Sequence, residues 1–266
     1  MARILRVGAL ISGGGTNLQA ILDAAASGAI SAEVVFVGTD NPGAAGLSRA
    51  RKAGVPTFVV DYQEVVRQEK ARPQAPKGLE IEALLTRQKI LPPALDPDRA
   101  RRFLALRTAY EARLLAEINR YTWDLLVLAG FMRLLTPWFL DQISPDPGHP
   151  RLMNIHPALL PAFPGGDGYG DTFAYGCKVG GCTVHFVDYG EDSGPIIGQK
   201  AYAIEPTDDL DSIRKKGLAL EWRLYPECIQ LFAENRLRVV PRPWPAPGNP
   251  DRTRKVVEIL EKGVTP

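Results

Sequence analysis

The sequence predicts an α/β protein built on a doubly wound, mostly parallel sheet. Short apolar runs at 4–11, 32–38 and 124–130 read as buried strands. Segments with apolar residues at helical spacing alternate with them, which is the pattern of a parallel sheet with helices on both faces. The first strand runs into a glycine turn, Ser12-Gly-Gly-Gly-Thr-Asn17, and then directly into a helix.

The 266 residues suffice for one large domain, here with an inserted segment and a C-terminal tail. A content of 45% hydrophobic and 23% charged residues is that of an ordinary globular protein, and a net charge of +2 favours neither a nucleic acid nor a membrane surface as partner. No uncharged run reaches the roughly 18 residues of a membrane span. The start of the chain enters a strand pattern almost at once and lacks a signal-peptide layout, so a cytoplasmic protein is expected. The three cysteines, Cys177, Cys182 and Cys228, form no C-x-x-C pair and read as partly buried thiols in a reducing compartment. No histidine stands at zinc-finger spacing, so no metal is expected.

In the glycine turn, close backbone approach, the first helical N–H groups and the positive end of the helix dipole favour an anion. Thr16 and Asn17 add donors. The dinucleotide pattern G-x-G-x-x-G fails at Leu18, although Asp40, closing the second strand, keeps an NAD-like ribose contact open. A P-loop lysine is absent. A phosphomonoester fits better, with a ligand-free left-handed turn as the alternative.

The helix after the turn carries Leu18, Ile21, Leu22 and Ala25 on one face. A second helix is expected over 44–53 and a third strand over 56–60. The pattern then breaks. Residues 63–98 are charged and proline-rich, with a possible short helix at 79–90, and read as a solvated excursion. Helical spacing returns at Phe103, Leu106, Tyr110, Leu114 and Ile118, on a helix that carries Arg107. After the strand at 124–130, Thr136-Pro137 reads as the N-cap and first residue of a helix to Ile143. Strands follow at 152–155, 183–187 and 196–203, then a long helix from Thr207-Asp-Asp-Leu210 to about Phe232 and a strand at 237–240. Residues 241–250 read as a stiff linker and 256–260 as a docked helical turn.

The chemistry is expected where a strand ends in Asn154-Ile-His-Pro157. Residues two apart on a strand share a face, so Asn154 and His156 project together beside a loop rich in Pro and Gly. A carboxylate, Asp192, lies in the later loop 188–195. An amide donor can hold a developing oxyanion, an imidazole can move a proton or polarise a carbonyl, and a carboxylate can orient the imidazole or shuttle the proton. No Ser or Cys stands in a G-x-S-x-G elbow, which favours direct acyl transfer between two bound substrates. Taken singly, each of the three also fits a turn, core or loop residue.

Five segments occur in this order: Ile11-Ser-Gly-Gly-Gly-Thr-Asn-Leu-Gln19, Leu128-Ala-Gly-Phe-Met-Arg-Leu-Leu135, Asn154-Ile-His-Pro-Ala-Leu-Leu-Pro161, Thr183-Val-His-Phe-Val187 and Asp192-Ser-Gly-Pro195. The series resembles the phosphoribosylglycinamide formyltransferase family, folate-dependent enzymes of purine synthesis, over residues 4–60 and 100–240. The resemblance implies a Rossmann-like formyltransferase fold. It implies a formyltransferase domain over 1–240, with a phosphate-binding half to about 123, a folate and catalytic half from 124 and an insertion at 62–99. A proline-rich tail, 241–266, would follow.

The resemblance also implies roles. Gly15, Thr16 and Asn17 would hold the phosphate of glycinamide ribonucleotide, and Glu221 its ribose hydroxyls. Arg107 would lie near the folate tail, while Met132, Arg133, Leu134 and Leu135 line the pterin pocket. The glycinamide amine would attack the formyl carbon of 10-formyltetrahydrofolate as co-substrate, Asn154 and His156 would stabilise the oxyanion, and Asp192 would pass a proton toward the departing nitrogen. His185 would support these groups rather than do chemistry.

The chain departs from the family in two places. Segment 165–173 lacks the family's histidines, leaving Asp167, Tyr169 or Asp171 to replace them. Leu218 stands where a polar residue helps hold phosphate, with Lys215 or Lys216 as possible substitutes. A formyl-folate hydrolase, a transferase acting on another amine and an NAD-linked or non-catalytic binder remain as alternatives. A hydrolase would be expected to carry a further domain ahead of the first strand. Monomer and homodimer are both open.

Overall fold

A computed structural model describes residues 3–69, 73–245, 248–249 and 251–263. Positions 70–72 of the expected excursion, and 246, 247 and 250 of the expected linker, lie outside the described residues.

A seven-stranded sheet runs in the order β3-β2-β1-β4-β5-β6-β7. Its strands are β1 (Leu5–Ile11), β2 (Ala32–Thr39), β3 (Thr57–Val59), β4 (Leu125–Leu128), β5 (Leu152–His156), β6 (Val179–Phe186) and β7 (Ile196–Ala203). The first five are parallel, and β6 and β7 are antiparallel additions beside β5. Both faces of the parallel part are covered, which is why its strands read as continuous apolar runs. In β4, Leu125 and Val127 face one layer while Leu126 and Leu128 face the other.

The first layer holds α1 (Thr16–Ala26), α2 (Gly46–Lys52) and α8 (Leu210–Ala233). Leu18 and Ile21 of α1 pack there with Leu224 and Ile229 of α8. The buried Tyr225 hydroxyl donates to the carbonyls of Leu128 (3.1 Å) and Met153 (3.0 Å), tying α8 to β4 and β5 at once. The second layer holds α3 (Tyr62–Glu69), α5 (Pro97–Ile118) and α6 (Pro137–Ile143). Tyr110, Leu114 and Ile118 of α5 pack there with Phe139 and Ile143 of α6. As expected, α6 starts on the Thr136 cap with Pro137 inside its first turn.

Three expectations need correction. The charged segment after β3 is not a solvated excursion. It forms α3 and α4 (Ile81–Arg87), buries Val65, Leu84 and Ile90, and leads into α5 six residues before Phe103. The start of α5 is an Asp96-Pro97 pair: the Asp96 carboxylate accepts from Arg99 N–H at 2.9 Å, and proline tolerates the first turn, where its missing N–H is not needed.

Residues 256–260 do not form a helical turn. Strands β8 (Leu237–Pro243) and β9 (Thr253–Ile259) pair antiparallel as a hairpin. Its β-branched residues Val239 and Val257 pack against the first layer, and its two prolines are tolerated because a two-stranded ribbon has free edges. Finally, a short helix, α7 (Gly168–Ala174), occupies part of the loop expected after β5. Asp167 caps it, accepting from Gly170 N–H at 3.1 Å, which offsets the poor helix propensity of its two glycines.

Candidate active site

Between β1 and β4 the winding of the sheet reverses direction, so the loops leaving these strands diverge and open a crevice. Its floor is stitched together by Ser12 N–H donating to Gly130 O (3.0 Å) and Met132 N–H donating to the Ser12 hydroxyl (2.9 Å). Asn154 pairs with Leu128 across β5 and β4, so the residues at the end of β5 enter the same crevice. The resulting cavity is about 310 Å³, and Asn154, His156 and Asp192 all line it.

His156 is 3% exposed, and its two ring nitrogens face two acceptors. Nε2 lies 2.7 Å from the Phe163 carbonyl and must donate to it, while Nδ1 lies 3.1 Å from Asp192 Oδ2. Phe163 delivers that carbonyl from a left-handed backbone conformation (φ 52°), which the surrounding loop imposes on an aromatic residue. Asp192 is also left-handed (φ 48°), at lower cost for an aspartate. Its Oδ2 accepts from Gly165 N–H at 2.9 Å, and its Oδ1 from Asn154 Nδ2 at 3.4 Å. Burial alone would raise the Asp192 carboxyl. The hydrogen bond from His185, the charge of His156 and the Gly165 N–H outweigh burial and hold it below the usual carboxylate range.

His185 belongs to this cluster, closer to the chemistry than expected. It lines the cavity, and its Nε2 lies 3.3 Å from Asn154 Nδ2 and 3.5 Å from Asp192 Oδ1. It sits opposite Asn154 in the β5–β6 register, a placement that alternation within β6 alone does not reveal.

At the other end of the cavity, α1 begins on Gly15, whose φ of 71° is left-handed. A side chain there would be strained, and its Cβ would stand 2.8 Å from Gly46 Cα of α2. Gly46 N–H donates to Gly13 O (3.0 Å) and Arg49 Nε to Gly14 O (2.9 Å), so the turn is fixed from outside. Of the three turn residues expected to hold an anion, Asn17 lines the cavity, while Gly15 and Thr16 are not part of its lining. Asn17 Nδ2 donates to Glu221 Oε2 at 2.6 Å, 204 positions away in the chain. The Tyr169 hydroxyl donates to the other oxygen, Oε1.

Of the three residues expected to replace the family's histidines, Tyr169 reaches the cavity, while Asp167 caps α7. Neither lysine makes up for Leu218, which itself lines the cavity. Lys216 is paired with Asp208, and Lys215 is exposed away from the lining.

The third wall is Met132, Arg133, Leu134 and Leu135. Arg133 Nε donates to the buried Asp40 at 2.6 Å, and its guanidinium lies 4.2 Å over the Tyr62 ring. This pairing engages Oδ2 of the carboxylate that an NAD-like ribose contact would use, and Asp40 does not line the cavity. Arg107, expected near a folate, does not line this cavity. It is 6% exposed and packs between Tyr62 (4.9 Å) and Phe103 (5.1 Å), one aromatic ring removed from Arg133. Ile90, from the segment before α5, completes the wall.

A larger cleft of about 680 Å³ lies between the C-terminal hairpin and loop 187–195. None of the expected site residues lines it, and the geometry above assigns the chemistry to the smaller cavity. Among the described residues no group of His, Cys, Asp and Glu could hold a metal ion, and no helix is long and apolar enough to cross a membrane.

The chain is similar to known proteins in sequence and in fold. The model of a family described as formyl transferase matches residues 5–229. The chain belongs to the formyl transferase family. The phosphoribosylglycinamide formyltransferase of Escherichia coli is 34% identical to this formyl transferase over 230 residues, 86% of this chain and 88% of that protein. The trifunctional purine biosynthetic protein adenosine-3 of Drosophila melanogaster is 34% identical over 238 residues, 89% of this chain. The chain spans 14% of that relative's length. Among solved structures, glycinamide ribonucleotide transformylase 1 of Symbiobacterium toebii aligns with a TM-score of 0.71 and 38% identity, covering 98% of this chain and 96% of that one. The phosphoribosylglycinamide formyltransferase of Coxiella burnetii aligns with a TM-score of 0.67 and 33% identity, covering 88% and 89%.

Proposed function

We propose that this formyl transferase moves the formyl group of 10-formyltetrahydrofolate to the amine of glycinamide ribonucleotide, a step of purine biosynthesis. The observation that carries the reading is the cluster of Asn154, His156 and Asp192 in one cavity with Asn17, at the start of α1, and Glu221. The names of relatives covered over most of their length agree with it.

In this reading the backbone N–H groups of Gly15, Thr16 and Asn17 hold the phosphate at the positive end of α1, and Glu221 receives the ribose hydroxyls. The amine then meets the formyl carbon beside Asn154 and His156. Its lone pair forms the new C–N bond while the carbonyl pair moves to oxygen. Asn154 Nδ2 stabilises that oxyanion, and the His156 ring does so by exchanging its Nε2–H bond from Phe163 O to the oxyanion, both side chains being held by Asp192, which Gly165 N–H fixes in turn. The intermediate collapses by breaking the bond to the folate nitrogen. Asp192, through His156 or a water, carries the proton lost by the amine to that nitrogen.

The pterin rests against Met132, Arg133, Leu134 and Leu135. Arg133 is oriented by Asp40 and backed by Tyr62 and Arg107, so Arg107 supports this wall from behind. The nucleotide half of the domain is residues 1–123 and the folate and catalytic half 124–240, with Glu221 crossing over to the nucleotide end. The reading is of a cytoplasmic enzyme acting on two small molecules.

Turnover is followed by folate absorbance with 10-formyltetrahydrofolate and glycinamide ribonucleotide. Deformylation that depends on the ribonucleotide is the expected result. Its absence at every pH from about 6 to 9, or equal deformylation by water alone, overturns the reading.

A further inference from the structure

The nucleotide end of the cavity contains more acceptors than the assignments above use. Glu221 is 4% exposed, and both of its oxygens are engaged, Oε2 by Asn17 Nδ2 at 2.6 Å and Oε1 by the Tyr169 hydroxyl. Each carboxylate oxygen retains a further lone pair. Because the Asn17 amide nitrogen is committed to a carboxylate, its oxygen points the other way. That Oδ1 atom is buried without a hydrogen-bond partner among the described residues. The two carboxylate oxygens of Glu221 therefore stand together in the cavity lining, and the donors beside them, Asn17 Nδ2 and the Tyr169 hydroxyl, are already spent on them. A phosphate, which brings only acceptors, does not suit this place. Hydroxyl groups do.

Tyr169 is placed by a specific fit. It stands on α7, in the segment where this chain leaves the family pattern, and its ring lies directly over Gly217 of α8, one turn before Glu221. A Cβ at 217 would stand 2.2 Å from Tyr169 Cε1 and 2.4 Å from its hydroxyl oxygen. Glycine at 217 is thus what lets the phenol reach the carboxylate, and Thr172 Oγ1, donating to Gly168 O at 2.6 Å, steadies the helix that carries it. Burial pushes the Glu221 carboxyl up, and the bonds from Asn17 and Tyr169 act against that push, favouring the ionised form. The titratable neighbours on β6 and β7, Cys182 and Tyr202, are both pushed up to about 12 by burial and are neutral at working pH.

We infer that Tyr169 is a positioning residue of the nucleotide site, which with the Asn17 side chain holds Glu221 as an acceptor cradle selective for the ribose hydroxyls. The inference rests on the proposed ribose role of Glu221. It separates two functions within the glycine turn: backbone N–H groups take the phosphate, and the Asn17 side chain holds Glu221 for the sugar. It also gives Tyr169 a purpose in the segment that lacks the family's histidines.

The test compares glycinamide ribonucleotide with its 2′-deoxy and 3′-deoxy analogues in the full chain and in Tyr169→Phe, which keeps the ring over Gly217. The native enzyme should prefer the ribonucleotide over at least one deoxy analogue by about tenfold or more in kcat/KM, the equivalent of one hydrogen bond to a charged group. In Tyr169→Phe the ribonucleotide KM should rise about tenfold and that preference should fall, with folate KM and the kcat at saturation within about threefold of native. Gly217→Ala, which displaces the ring, should give the same pattern. Glu221→Gln is the control for the underlying reading. If Glu221→Gln leaves ribonucleotide KM and the preference unchanged, the ribose role of Glu221 fails. If it changes them while Tyr169→Phe and Gly217→Ala keep native KM and native preference, the inference alone is overturned. A variant that fails to melt cooperatively is replaced by the other, since either one suffices to decide.

Discussion

His156 Nδ1 lies 3.1 Å from Asp192 Oδ2, a contact made between the last residue of β5 and a loop 36 positions further along the chain. The imidazole is thereby aimed before any substrate arrives, so its effect should fall on the transition state. His156→Ala is expected to lower kcat by about 10²–10⁴-fold, and Asn154→Ala by about 10²–10³-fold, with folate KM close to native. Steady-state kinetics with folate varied at saturating ribonucleotide separates the two constants. A raised KM with unchanged kcat would count against both roles.

Asp192 should also leave a mark on acid stability. Its carboxyl is held below its ordinary value, so its contribution to stability is full above the unfolded value of about 3.9 and is lost as pH falls through the folded value. Urea midpoints of native protein and Asp192→Asn should differ by a constant amount between about pH 6 and 8 and converge below about pH 4. A difference that stays the same to the lowest pH would show that the carboxylate charge is not the source.

Glu111 predicts the opposite trend. It is fully buried on α5, and burial pushes its carboxyl up to about 8 despite bonds from the Thr136 hydroxyl and backbone and the nearby Arg107 charge. A raised folded value means that the folded protein keeps a proton the unfolded chain releases. Its stabilising effect is therefore present below about pH 4.3 and is lost as pH rises toward 8, at up to about 1.4 kcal/mol per pH unit. Between about pH 5 and 8 the native urea midpoint should fall, and Glu111→Gln should flatten that fall. Parallel pH profiles for the two proteins would remove Glu111 as its cause.

The glycine turn offers a structural prediction. Gly15→Val places a branched side chain at a φ of 71°, with its Cβ 2.8 Å from Gly46 Cα. The turn and the start of α2 must separate, which should lower stability by about 1–3 kcal/mol and raise ribonucleotide KM far more than folate KM. Thermal melts and two-substrate kinetics measure both effects. Equal changes in the two KM values would remove the anion site from the turn.

How much of this was legible in the chain depends on the range of each signal. The Thr136-Pro137 start of α6 was readable because cap and proline act within one turn. The same signal at Asp96-Pro97 was hidden among neighbouring prolines, which made an ordered segment look like an excursion. Val256 and Val257 could have marked β9, but a ribbon strand with one half-buried face is easily taken for a helical turn.

Asn154 and His156 were readable as a pair because strand alternation is local, whereas Asp192 entered through its loop motif and the resemblance. His185 and Tyr169 could not be placed, since their partners come from other elements: Asn154 across a β5–β6 register, and Glu221 across the α7–α8 contact. Leu218 pointed toward a phosphate-holding lysine on α8, and neither lysine lines the cavity; Tyr169 of α7 reaches Glu221 instead, over a glycine at 217 that sequence alone gives no reason to single out.

Loop 188–195 is held on both flanks by parts of the chain outside the five shared motifs. On one side Lys89 N–H donates to Tyr189 O at 3.0 Å, and Arg87 reaches the Tyr189 hydroxyl at 2.7 Å. On the other, Arg254 of the hairpin extends to Ser193 O at 3.4 Å. Asp192 lies between these anchors. The lifetime of its working geometry is therefore tied to the opening of two peripheral segments, so changes remote from every substrate atom can retune turnover without altering the reacting groups.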